Sequence, residues 1–142
     1  MKTDVVFYST TGNTRKIAEA ISEEAGCKAR QSQQDPEVID ADIVFVGGAV
    51  YATSDHDIHV SIKLFADRLK AADFHGRIAL FATGFQKSDA LGLLKRIFLD
   101  RGLSLVQESF FCKGKFLLFM SGHPDKEDIS QARIFASRVM KQ

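Results

Sequence analysis

Tryptophan is missing from this chain of 142 residues, and cysteine and proline occur only twice each. Recognition of any flat aromatic ligand therefore falls to two Tyr and 12 Phe. Cys27 and Cys112 are too far apart for a metal-ligand spacing and too few for a disulfide framework. With little proline and no low-complexity tract, nothing reads as a linker, and a single domain over 1–142 is expected. No run of 18 apolar residues occurs, and Met1-Lys2-Thr3-Asp4 leads straight into an apolar stretch without a signal-peptide pattern. A cytoplasmic protein with no membrane partner is the expectation. An excess of one charge is also lacking. Lys and Arg total 19 against 18 Asp and Glu, so the net charge of +1 argues against nucleic acid as a partner.

Three anion-binding signatures are absent as well. There is no G-x-x-x-x-G-K-[ST], which argues against a nucleoside triphosphatase, and no G-x-G-x-x-G after the first strand, which removes support for a dinucleotide. Cys-x5-Arg fails at both cysteines, because the sixth residue beyond Cys27 is Gln33 and beyond Cys112 is Leu118. What the chain does have is Val5-Val6-Phe7-Tyr8 breaking into Ser9-Thr10-Thr11-Gly12-Asn13-Thr14, followed by Ile17, Ala18, Ala20, Ile21 and Ala25 at helical spacing. A strand, a hydroxyl-rich turn and a helix start make an anion site from unpaired N–H groups and the positive end of the helix dipole. The hydroxyls of Ser9, Thr10, Thr11 and Thr14 and the amide of Asn13 add donors, and Gly12 lets the backbone approach an oxyanion. An ordinary turn with a Thr or Asn cap would explain only one of these residues.

Apolar runs of strand length alternate with helical segments along the chain, the pattern of a parallel sheet covered on both faces. Strands are expected at 4–8, 27–31, 43–48, 78–82 and 103–111, with 32–36 as a loop. Helices are expected at 13–25, 58–70, 89–101 (closed by Gly102) and 126–140. This is an α/β doubly wound sheet of five parallel strands. His56 and His59 stand among carboxylates. A metal site is the lesser reading there, and a helix cap by Ser54, Asp55 or Asp57 the better one.

The segment Ser9 to Thr14, read as [ST]-x-T-G-N-T after an N-terminal strand, resembles the phosphate loop of the flavodoxin family. The resemblance extends more loosely over the whole chain and, without an insertion in strand five, is to short-chain members. It implies the strand order 2-1-3-4-5 and the cofactor FMN, whose terminal phosphate would be held by Ser9, Thr10, Thr11, Gly12, Asn13 and Thr14. The ring would lie between loops after strands three and four, in Gly48-Ala49-Val50-Tyr51 and Thr83-Gly84-Phe85. Tyr51 and Phe85 are the stacking candidates, with helix cover and core packing as their respective rival roles. Backbone groups of Gly48, Ala49, Thr83 and Gly84 would meet the ring edge. Ala52-Thr53 stands where the family often has a glycine, and the balanced charge departs from the family's acidic carriers.

The function implied is an FMN-binding electron carrier, monomeric, working between a reductase and a redox acceptor. The Lys- and Phe-rich segment Lys113 to Met120 is a candidate docking surface, with folding back into the core as the rival reading. Two further functions stay open: an FMN-dependent NAD(P)H:quinone or flavin reductase, and a regulatory module of the same fold.

Overall fold

The computed structural model describes residues 1–34, 36–37, 40–50, 57–84, 89–113 and 124–142. Val5, Val6 and Phe7, β-branched or aromatic and almost inaccessible, form β1 (Thr3–Phe7). The expected first helix is α1 (Asn13–Ala25), which Gly26 ends in the left-handed conformation at φ 75°. β2 (Ala29–Gln31) is shorter than the expected 27–31, and the expected loop after it opens with a 3-10 helix, Ser32–Gln34. β3 (Ile43–Gly48) is buried throughout and leads towards α2 (Val60–Ala71). Next come β4 (Arg77–Gly84), α3 (Ala90–Leu99), β5 (Ser104–Leu105), β6 (Phe110–Lys113) and α4 (Lys126–Met140).

The strands pair in parallel in the order β2-β1-β3-β4-β5, as the alternation and the resemblance implied. The expected fifth strand is divided. The stretch 103–111 is not continuous: β5 pairs with Arg77 and Ile78, and β6 pairs with Phe81 to Gly84 on the same edge of β4. Between them Val106 still donates to the Ile78 carbonyl at 2.8 Å. The polar run Gln107-Glu108-Ser109 offers nothing for an apolar face, and Glu108 turns towards Arg138 of α4 at 3.4 Å.

Side chains alternate across the sheet and divide the core in two. Val5, Phe7, Ile43, Phe45, Ala79 and Phe81 pack under α1 and α4, against Ile17, Ile21, Ala132 and Phe135. Val6, Val44, Val46, Ile78 and Leu80 face the other way, under α2 and α3, against Ile62, Phe65, Leu69 and Phe98. Among the described residues, no helix is long and apolar enough to cross a membrane.

Candidate functional site

In a doubly wound sheet, ligands bind beyond the carboxyl ends of the strands where the strand order reverses. Here that place is the gap between the exits of β1 and β3. Tyr8 leaves β1 with its N–H bonded to the Gly47 carbonyl at 3.1 Å, so the two exits are tied before the chain turns. Ser9 is half-buried and its Oγ accepts from the Gly12 N–H at 3.0 Å, which folds the turn back on itself. Thr10 and Thr11 are exposed, whereas Asn13 and Thr14 are buried.

The cap of α1 is Gly12, in place of the Thr or Asn that ordinary capping would use. Its φ of 90° lies in the left-handed region, no side chain bonds the helix start from the cap, and no acid lies in the first turn. The helical ladder begins with Lys16 N–H to the Gly12 carbonyl at 3.1 Å, so the amides before it lie outside the ladder. Two of the other helices contrast with this, whereas α3, which begins after Asp89, likewise has no side-chain cap bond and no acid in its first turn. α4 closes its start with a reciprocal Asp125–Asp128 capping box, and α2 closes its own with the His59 ring. The donor set at α1 (backbone amides, hydroxyls and no carboxylate) fits a dianionic phosphate monoester.

The tandem glycines at the exit of β3 are accounted for by packing. A Cβ on Gly47 would lie 2.0 Å from the Phe81 ring, and one on Gly48 would meet Ile62 Cδ1 at 3.0 Å. Ala49 is buried and Val50 half-buried beyond them. Gly84 ends β4 half-buried, and Thr83 before it is 1% exposed. The Thr83 side chain has its own role: its Oγ1 lies 2.8 Å from Thr14 Oγ1, across 69 residues of sequence. Tyr51, Phe85, Ala52-Thr53, Ser54, Asp55, His56 and the segment after Lys113 fall outside the described residues.

The start of α2 corrects one expectation. Asp57 does not cap this helix. Its Oδ1 accepts from the Ile58 N–H at 2.7 Å, and its Oδ2 pairs with Lys63 at 2.6 Å, contacts that together hold its carboxyl below the usual range. The cap is His59, whose Nδ1 accepts from the Ser61 N–H at 3.1 Å. Its ring stacks on Tyr8 with centroids 3.8 Å apart and planes 8° from parallel. Ser61 Oγ lies 2.8 Å from the same nitrogen and 2.6 Å from Ser32 Oγ, so the chain His59–Ser61–Ser32 joins α2 to the turn after β2. Nothing in the spacing of the sequence announced this cluster, because histidine is not a usual cap and Ser32 is remote. Among the described residues, no group of three or more His, Cys, Asp and Glu is placed to hold a metal ion.

Because Nδ1 accepts from a backbone amide, the cap works only with a neutral ring, and burial lowers the His59 pKa from its ordinary 6.5. The unfolded chain therefore takes up this proton first as the pH falls. The cap's contribution is present above the ordinary histidine value and is lost as the pH drops through the lowered one. Urea midpoints measured between pH 7.5 and pH 5 should fall with pH, and His59→Ala should flatten that dependence while costing about 1 kcal/mol at neutral pH. An unchanged pH dependence in the alanine variant would exclude His59 as the source.

Cys112 stands at the end of β6, opposite Thr83, and is 6% exposed. Burial, with the Asp128 and Asp125 carboxylates nearby, pushes its thiol up to about 12. Cys27 is also shifted upward, chiefly by burial. Neither is a ready nucleophile. At pH 8 iodoacetamide should modify Cys112 at least about a hundredfold more slowly in the folded than in the unfolded protein. Equal rates would show that the thiol is open to solvent.

Two cavities border β2 and the turn after it. One of about 70 Å³ is lined by Ser32, Pro36, Ser61, Phe65 and Arg68, among others. An open one of about 430 Å³ lies between α1 and the β2 edge, beside Arg15, Lys28 and Gln31. Neither includes a residue of Ser9 to Thr14.

No protein-family model matches the chain, and no curated protein does. Solved structures do. The chain superposes on an archaeal flavodoxin with a TM-score of 0.79 at 19% identity, covering 99% of this chain and 97% of that one. Oxidised flavodoxin 2 from Bacillus cereus gives 0.73 at 19% identity, with 99% of each chain covered. A flavoprotein from Lactobacillus acidophilus, solved in complex with FMN, gives 0.56 at 20% identity over 79% of this chain and 92% of that one. From strand order and superposition alike, the chain has the flavodoxin fold.

Proposed function

We propose that this protein binds FMN, seats its phosphate in Ser9 to Thr14, and carries electrons between a reductase and a redox acceptor as a cytoplasmic monomer. The observation that carries the reading is the start of α1. A left-handed glycine with neither a side-chain cap nor an acid in the following turn stands at the point where the strand order reverses. What sets it apart from the starts of α2, α3 and α4 is the glycine itself, with no side chain over the first-turn amides. The complex of the Lactobacillus flavoprotein with FMN supports the same cofactor.

Bound FMN would supply reversible electron uptake, which no side chain here provides. The chain's own part is to hold and shield. Exposed Thr10 and Thr11 and the half-buried Ser9 offer hydroxyls to the phosphate, and the first-turn amides offer the helix dipole. Tyr51 and Phe85 are proposed to flank the ring, with backbone of Gly48, Ala49, Val50, Thr83 and Gly84 at its edge. Lys113, exposed at the end of β6, opens the basic and Phe-rich segment proposed to meet an acidic partner.

The test is a visible spectrum of the purified protein after FMN is added and the sample desalted, then NADPH under anaerobic conditions. A carrier retains flavin and keeps it oxidised until a separate reductase is supplied. Direct bleaching by NADPH would make the protein an FMN-dependent NAD(P)H:quinone or flavin reductase. Loss of flavin on desalting would overturn the cofactor reading and leave a regulatory module of the same fold.

A further inference from the structure

Thr83 is the penultimate residue of β4, on the face that also carries Ala79 and Phe81 beneath α1 and α4. Its hydroxyl and that of Thr14 are both buried, at 1% and 0% exposure, and bond to each other at 2.8 Å. The two elements they join are not neighbours in the sheet. α1 follows β1, β1 pairs with β3, and β3 pairs with β4, so the bond passes over the exit of β3. That passage is open because β3 presents Gly47 there, opposite Phe81, and the small Ala49 follows the strand. On its other side Thr83 is opposite Cys112, whose buried neutral thiol is a poor hydrogen-bonding partner. Thr14 is thus the partner for which the Thr83 hydroxyl is placed.

We propose that Thr83 is a positioning residue for the phosphate cradle: its hydroxyl fixes Thr14, and with it the first turn of α1, where the Ser9 to Thr14 donors must converge. The inference rests on the FMN reading above and adds to it a side-chain role remote from the loop. A hydroxyl buried without a partner is costly, so the pair is satisfied only when the start of α1 and the exit of β4 keep this separation. The cradle is held from across the sheet as well as by its own turn.

Titrations of the full chain with FMN and with riboflavin, which lacks the phosphate, test this. The wild type should prefer FMN. Thr83→Val should weaken FMN binding about tenfold, equivalent to about 1.4 kcal/mol, and weaken riboflavin binding much less. Thr83→Ser, which keeps the hydroxyl, should restore FMN binding. If the valine variant fails to fold, Thr83→Ala gives the same comparison with less bulk. FMN affinity unchanged by loss of the hydroxyl would overturn the role of Thr83 while leaving the cradle intact. Equal losses for FMN and riboflavin would overturn it too, by placing the effect at the ring end. A wild type that binds FMN no better than riboflavin would instead overturn the cradle itself, and with it any role for Thr83 in positioning it.

Discussion

Gly47→Ala is expected to lower the melting temperature by on the order of 10 °C, from a loss of about 3 kcal/mol. The added Cβ would lie 2.0, 2.2 and 2.5 Å from three carbons of the Phe81 ring, and Phe81 is itself fully buried. The ring cannot swing into solvent, so either β3 or β4 must move. Gly48→Ala should cost much less, since its nearest contact is the flexible end of Ile62 at 3.0 Å. Thermal or urea unfolding of both variants checks this, and a partial recovery in Gly47→Ala/Phe81→Leu would locate the clash. Melting of Gly47→Ala within a degree of wild type would refute the packing argument. The comparison matters for function because these glycines stand at the mouth of the proposed flavin site. Their lack of side chains is required by the core before any ligand is considered.

The second large effect is expected at Arg30. Its guanidinium Nε lies 3.2 Å from Asp4 Oδ1, its NH2 nitrogen pairs with Asp4 Oδ2, and the Glu37 carbonyl accepts from that same nitrogen at 3.0 Å. The Asp4 side chain is 4% exposed. Among the described residues, Arg30→Met would leave that carboxylate buried with the Val5 N–H, at 3.0 Å, as its remaining support. The expected loss is about 3 kcal/mol, against well under 1 kcal/mol for breaking a more exposed pair such as Arg101–Asp67. Asp4→Leu/Arg30→Met should recover much of the deficit, because apolar side chains can replace a buried pair. A double variant no more stable than the single one would show that the ions add more than mutual compensation. β2 has only three residues, so this pair is much of what fastens it. Ser32, which bonds Ser61 at the start of α2, follows immediately.

How far the fold could be read in advance depended on the range of the signals. The limits of α1 and α4 were legible because apolar period and terminal residues agree locally: Gly12 and Gly26 bracket the first, and Asp125 announces the second. The alternation of short apolar runs gave the layers, and the Ser9 to Thr14 motif implied the strand order. The break after Leu105 was not legible, because Val106 and the pair Phe110-Phe111 look like one strand until Glu108 is seen to meet Arg138. Nor was the His59 cap, since a preference for Asp or Ser at helix starts pointed to earlier residues. In the candidate site, the loop was readable from residue types that act within a few positions. The Thr14–Thr83 bond and the Tyr8–His59 stack join residues far apart in sequence, and such partners become visible only when the sheet is assembled.

The packing of α1 against α4 bears on the order in which the molecule takes shape. Ile17, Ala18 and Ile21 of α1 share one cluster with Ala132, Phe135, Ala136 and Val139, and Arg133 reaches Glu23 across the two helices. During synthesis α1 therefore emerges before α4 and waits for it before its apolar stripe is covered. Amide exchange should report the same dependence in the finished protein. Openings that lift α4 away should expose α1 in the same event, so the affinity of the proposed FMN site and the docking of α4 rise and fall together.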